Sequence, residues 1–376
     1  MPRHLSQPVF ALAADPAGGA LLVGTASGGI FRSGDGGASW STVWHGPGHA
    51  VQVIAFSPVT PGLVLAGTRG DGVLVSSDAG ITWRVDPGAE GATVRAFAFA
   101  SSVTVAGTDK GLLTKPAGGS WTPVGLSQLS VSAIAAAAVN DPARLVAGAD
   151  ATTGQESLPL YETADGGSLW SALTGPPAGT DIVSTLAAGP LPRGGTVRPL
   201  IMGTNAGAFL SKDDGSSWSS LTALPATDFN QAAFVDASPD HFYVASDGGA
   251  SKAGGLWYTG DGGKSFRSLA PPIPSVTALS VIGGPQPVVY AATLRGADQA
   301  VTLWTYHDAG GKPSTAPGAV PPVAARTAGA TAPLPAAVDW RVALLRGPEA
   351  PYLFLGLAAG MVLLVALGTY LRRARP

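Results

Sequence analysis

The chain has 376 residues, enough for one large domain or two, with a formal net charge of −2 and only 12 % charged residues. That balance argues against nucleic acid, whose binders carry basic patches, and with no cysteine there is no disulfide, thiolate metal site or cysteine nucleophile. Glycine (52) and proline (32) are abundant, as a fold of short strands and tight turns requires.

The N-terminus, Met1 to Gln7, runs directly into strand-like Val9-Phe10-Ala11-Leu12-Ala13-Ala14. No basic segment followed by an apolar run precedes it, so no signal peptide is read here. The first informative stretch is Ser33-Gly34-Asp35-Gly36-Gly37-Ala38-Ser39-Trp40. It returns as Ser76, Asp78, Gly80, Thr82 and Trp83, and then as Thr114, Gly118, Ser120 and Trp121 with Pro116 where the Asp belongs. The fourth copy is Thr163, Asp165, Gly167 and Trp170, with Leu169 replacing the hydroxyl residue. The fifth is intact as Ser211, Asp213, Gly215, Ser217 and Trp218, and the sixth ends in Phe266 after Thr259, Asp261, Gly263 and Ser265. Asp308 and Gly310 are the remains of a seventh.

The aromatic positions 40, 83, 121, 170, 218 and 266 are 43, 38, 49, 48 and 48 residues apart, a period of propeller blades. Asp and Ser/Thr side chains can bond nearby backbone N–H groups and Gly supplies positive φ, so the stretch suits a hairpin turn. The aromatic ring should anchor the next strand in its blade; if buried, Trp83→Ala should cost about 3–5 kcal/mol.

This pattern resembles the Asp-box, or BNR, repeat over roughly residues 8 to 312. The resemblance implies that the box is a structural turn between the third and fourth strands of a blade, remote from the ligand. First strands are read near Val9, Val51, Val94, Val131, Ile182, Phe229 and Val276, and second strands at Leu21, Leu63, Val103, Leu145, Leu200, Phe242 and Val288. The expected fold is therefore all-β: a seven-bladed propeller of four-stranded blades over residues 1–312. No convincing fourth strand follows Asp308, so the last blade is read either as three-stranded or as completed by residues before Val9.

Residues 313–350 read as an extended Pro/Ala/Thr-rich stalk, with a short juxtamembrane helix at 336–346. Tyr352 to Leu371 is twenty residues without a charge, followed by Arg372, Arg373 and Arg375. At ~1.5 Å per residue it spans roughly 30 Å, the thickness of a bilayer core, so 351–371 is read as a single transmembrane helix and 372–376 as a basic tail. Gly356-x-x-x-Gly360 would let two such helices meet in a weak dimer. The arginines favour a cytoplasmic C-terminus and an extracytoplasmic propeller. The alternative is a tail-anchored protein with its propeller in the cytosol.

In a propeller the ligand face carries the loops between second and third strands. Here those loops hold Arg69, Asp71, Asp109, Lys110, Asp150, Glu156, Asn205, Asp247, Lys252, Arg295 and Asp298. Sialidases resemble the chain in the boxes alone: the Phe-Arg-Ile-Pro signature is missing, and Phe31-Arg32-Ser33 lies inside a box. The five histidines lack metal-site spacing, and no phosphate loop, nucleophile elbow or dinucleotide fingerprint is present, so no catalytic residue, metal or cofactor is assigned. The expected function is a non-enzymatic, membrane-anchored propeller offering its ring face to a protein or glycan. The chain also resembles photosystem II assembly-factor propellers in blade number and repeat type, which implies a role in membrane-protein assembly. The alternative is a cell-surface glycoside hydrolase or lyase using two of the acidic loop residues.

Overall fold

The computed structural model describes residues 7–308 apart from 101, 139–143, 152–157, 175–181, 236–237, 250–253, 285 and 298. The stalk, the 336–346 helix, the 351–371 segment with Gly356 and Gly360, and the 372–376 tail lie outside the described residues. Within them, every named element is a β-strand.

The strands form seven antiparallel sheets, six of four strands and one of three. The first strands are Val9–Ala14, Val51–Phe56, Val94–Phe99, Val131–Ala138, Val183–Ala188, Gln231–Phe234 and Val276–Ile282. Each touches the next, and the last touches the first, so they close a ring. The protein is a seven-bladed propeller. Its seventh blade is three-stranded among the described residues, ending at Ala300–His307.

A short sequence grammar builds each blade. The first four second strands end in Gly-Thr or Gly-Ala, and the fifth in Gly203-Thr204. The glycine is there for packing: a methyl built on Gly67 would meet the Val94 carbonyl oxygen at 2.7 Å, and one on Gly24 would meet Val51 Cγ1 at 2.5 Å. The leading residue of the following blade thus seats directly on backbone. The threonine hydroxyl then closes the next loop, as when Thr68 Oγ1 donates to the Gly72 carbonyl at 2.9 Å. Opposite this dipeptide, the register slips by one residue in six of the first strands, at Phe10, Gln52, Arg95, Ser132, Ser184 and Thr277. Each is a β-bulge, which re-aims its side chain without breaking the sheet.

The repeated turn is a hydrogen-bond unit. Ser33 Oγ donates to Asp35 Oδ1 at 2.7 Å and accepts the Gly37 N–H at 2.7 Å. Asp35 accepts the Ser39 N–H at 2.8 Å and the Ser39 hydroxyl at 2.5 Å. The same set recurs around Asp78, Asp213 and Asp261, whereas around Asp165 the Leu169 N–H is the partner. The Ser39 and Thr82 hydroxyls hold the Asp35 and Asp78 carboxyls down to about 2, and similar bonds lower Asp165 and Asp261. Burial opposes this at Asp213, where Ser217 and Ser211 outweigh it.

Two expectations about the aromatics need correction. Trp83 is half-buried rather than buried, and it packs on a cluster shared by blades 1 and 2. It therefore joins blades instead of anchoring a strand within one, and the cost of Trp83→Ala falls below that of a buried ring. Trp121 does not follow the pattern of Trp40, Trp83 and Trp170, whose indole N–H groups donate to Gly37, Gly80 and Gly167 carbonyls. It is 2 % exposed and donates to Asp86 Oδ2 of the preceding blade at 2.8 Å. Without an Asp at position 116, nothing holds the third turn in the common geometry.

Candidate functional site

The bulged residues of the first strands surround a central cavity of about 460 Å³, lined by Phe10, Gln52, Arg95, Ser132, Ser184 and Thr277 from six blades and by Asn230 and Gln231 from the remaining one. Arg95 is held at one side, its guanidinium donating to Ser130 Oγ and to Asp150 Oδ2, each at 2.9 Å. Three nearby polar atoms are buried without a hydrogen-bond partner in the protein: Gln52 Nε2, Asn230 Oδ1 and Asp150 Oδ1. Such atoms cost about 1–3 kcal/mol each unless something binds them.

The loops after the second strands gather at one end of the ring, where their backbone meets the residues just ahead of the first strands: Arg69 N–H donates to Ala50, Asp109 N–H to Thr93 and Asp150 N–H to Ser130. Three of the sequence-selected side chains make the same link within their own blade. Asp71 Oδ1 pairs with His49 Nδ1 at 2.7 Å, Asp109 Oδ1 accepts the Thr93 N–H at 2.9 Å, and Asn205 Oδ1 accepts the Ile182 N–H at 3.3 Å. Arg69 forms a backbone bridge to Thr93, and Lys110 donates only its N–H, to Thr108. Arg295 ends the second strand of blade 7, exposed and paired in register with Ala300. Glu156, Lys252 and Asp298 lie outside the described residues.

Asp247 is the selected carboxylate that reaches the central cavity. Burial and a hydrogen bond with the Asp228 carboxyl push it above the usual carboxylate range. A raised folded-state pKa means that Asp247's contribution to stability is full below about pH 4 and is lost as pH rises through the folded value. Asp247→Asn should therefore melt higher than the parent at pH 7, with the difference closing towards pH 4 in thermal scans.

A smaller recess of about 320 Å³ lies on the outer side of the His49–Asp71 pair, floored by Trp44, Leu74 and Val85 with Glu90 at its rim. Sequence reading selected none of this floor and, of the cavity lining, Asp247 alone. The signal for the cavity was nevertheless present: Val51-Gln52, Val94-Arg95, Val131-Ser132, Val183-Ser184 and Val276-Thr277 each put a polar residue second in a mostly apolar strand.

No family model matches the chain, and no curated protein matches it. Solved structures do. A GH74 xyloglucanase from Xanthomonas campestris aligns with a TM-score of 0.60 at 16 % identity over 79 % of this chain, which spans about half (54 %) of that enzyme. YCF48 bound to a D1 peptide aligns with a TM-score of 0.56 at 15 % identity, over 79 % of this chain and 91 % of that one. YCF48 from Cyanidioschyzon merolae gives 0.53 at 14 %, over 79 % and 95 %. At such identities the likeness is one of fold: this chain shares the β-propeller architecture of both a glycosidase and a peptide-binding protein.

Proposed function

We propose that the chain is a non-enzymatic propeller that binds an extended segment of a protein partner at the loop end of its central cavity. It is tethered to a membrane through residues 351–371, with the propeller on the extracytoplasmic side. The observation that carries the reading is the cavity lining: five polar bulge-directed side chains, with Phe10 as the sixth and Asn230 and Gln231 from the blade without a bulge, and with Gln52 and Asn230 each holding an unpartnered atom. An extended peptide offers the complementary set, a backbone donor and acceptor at every residue. The peptide bound by YCF48, a propeller covered over 91 % of its length, supports the same use of the fold. Three carboxylates that a glycosidase could use are instead engaged by the protein itself, Asp71 and Asp109 within their own blades and Asp150 by Ser130 and by Arg95 of the preceding blade.

The test is a peptide array of membrane-protein tails and loops probed with the full-length chain, run beside a polysaccharide hydrolysis screen. Gln52→Leu removes the free donor at nearly constant volume. It should weaken a bound peptide about 5- to 10-fold, equivalent to one hydrogen bond, with no loss of thermal stability. Turnover of any glycan without peptide binding would replace this reading with the hydrolase. Recovery of the full-length chain in the carbonate-washed membrane fraction tests the tether.

A further inference from the structure

The degenerate third turn leaves a consequence on the opposite end of the ring. In the five turns that keep their Asp, the second glycine presses on the preceding blade. A methyl built on Gly80 would lie 2.7 Å from Leu22, one on Gly37 2.9 Å from Leu303, and one on Gly263 2.6 Å from Leu221. Gly167 and Gly215 make the same approach at 3.5 Å to Val105 and Val146. Gly118 in the third turn meets nothing within 4 Å. Pro116 supplies no carboxylate to gather the following N–H groups, and its carbonyl instead accepts the Gly119 N–H at 2.9 Å, closing a tighter local turn. The space that the turn fills at the other interfaces stays open here.

What remains is a groove of about 480 Å³ between blades 2 and 3, with half-buried Leu63 and Val103 at its floor over the buried Leu65 and Val75. Leu65 holds the strand position that Leu22 holds in blade 1, where Gly80 covers it. Charge at the groove is unbalanced. Asp86 is spent on Lys115 and on the Trp121 indole, while the Arg84 guanidinium stands 3.8 Å from it and 69 % exposed. Two cations, Arg84 and Lys115, thus share one carboxylate, and the excess positive charge beside the groove matches an apolar side chain that carries a carboxylate next to it.

We propose that this interblade groove docks an extended segment of a partner protein, inserting one aromatic side chain where the missing turn contact would lie and setting a neighbouring acidic residue against Arg84. The groove opens among the repeated turns and the first-to-second-strand turns, away from the cavity mouth. It is a second contact surface, and it stands or falls separately from the reading of the cavity.

The probe is a fluorescein-labelled Gly-Asp-Trp-Asp-Gly peptide titrated against the full-length chain by anisotropy, with Trp→Ala and Asp→Lys peptides and anionic lipid vesicles as comparators. Saturable binding that weakens at least tenfold in either altered peptide is the expected result. Pro116→Asp completes the turn, which should fill the groove, lower affinity at least tenfold and keep or raise the melting temperature. Arg84→Glu, at an exposed position, should lower affinity at least fivefold with no change in melting. Equal binding of the Trp→Ala peptide, no binding up to about 1 mM, vesicle binding in its place, or full affinity in Pro116→Asp and Arg84→Glu would each overturn the proposal.

Discussion

Asp86→Ala is expected to destabilise the propeller by about 3–5 kcal/mol, the cost of removing one partner from a buried ion pair. Asp86 is 2 % exposed, at the end of the outermost strand of blade 2, Arg84–Asp86. Its carboxylate receives Lys115 Nζ and the Trp121 indole N–H, both from blade 3. Truncation would strand the Lys115 ammonium, at 20 % exposure, and leave a buried indole donor unpaired. The loss should appear as a shift of the urea unfolding midpoint together with a change in Trp121 emission. Only the ion-pair share of it should return in the Asp86→Leu, Lys115→Met double variant, because an apolar pair no longer buries an unbalanced charge while the Trp121 indole donor stays unpaired. A loss below about 1 kcal/mol in Asp86→Ala would mean that packing and backbone hydrogen bonds, not this pair, join blades 2 and 3. The network compensates for the missing Asp at position 116: the third turn gives up its internal bonds, and a cross-blade pair holds the interface instead.

Tyr243→Ala should cost a similar 3–5 kcal/mol, for a different reason. The side chain is fully buried in the second strand of blade 6, Phe242–Ser246, within a cluster shared with blade 7. Its ring lies 5.0 Å from that of Tyr258, and its hydroxyl donates to Asp308 Oδ2 at 2.6 Å. Burial, with Asp308 beside it, pushes the phenol far above its usual range, so it stays a neutral donor. Tyr243→Phe keeps the ring and should lose only about 1.5–3 kcal/mol, the share of one hydrogen bond to a charged group. If both variants lose the same amount, the hydroxyl link to Asp308 is the dominant contact and the packing argument is wrong. Because Asp308 follows the last strand of blade 7, this pair ties that blade to blade 6 where a fourth strand is lacking among the described residues.

Much of this architecture was legible in the chain because the repeat is local chemistry. A hydroxyl, a carboxylate and a glycine within five residues can close their hydrogen bonds with each other, so Ser33, Asp35 and Gly37 announce their turn wherever it sits. The spacing of the aromatics then counts the blades. The same reasoning went astray at Trp83 and Trp121, since whether an indole faces its own blade or a neighbour depends on residues some 20 to 40 positions away, such as Asp86 for Trp121.

The candidate site was harder to read. Loop residues such as Asp71 and Asp109 look available in sequence, and in the fold they bond to backbone or side chains ahead of their own blade's first strand. Gln52 and Asn230 look like ordinary strand residues, and only the bulges and ring closure bring them to one cavity. By itself, then, the sequence determined the repeat, its turn and the number of blades, because these rest on contacts within a few residues. The tertiary structure alone decided which polar groups meet at the axis and which interface stays open. Those outcomes depend on seven separate segments meeting at once, and on a single proline at position 116 whose effect falls on the neighbouring blade.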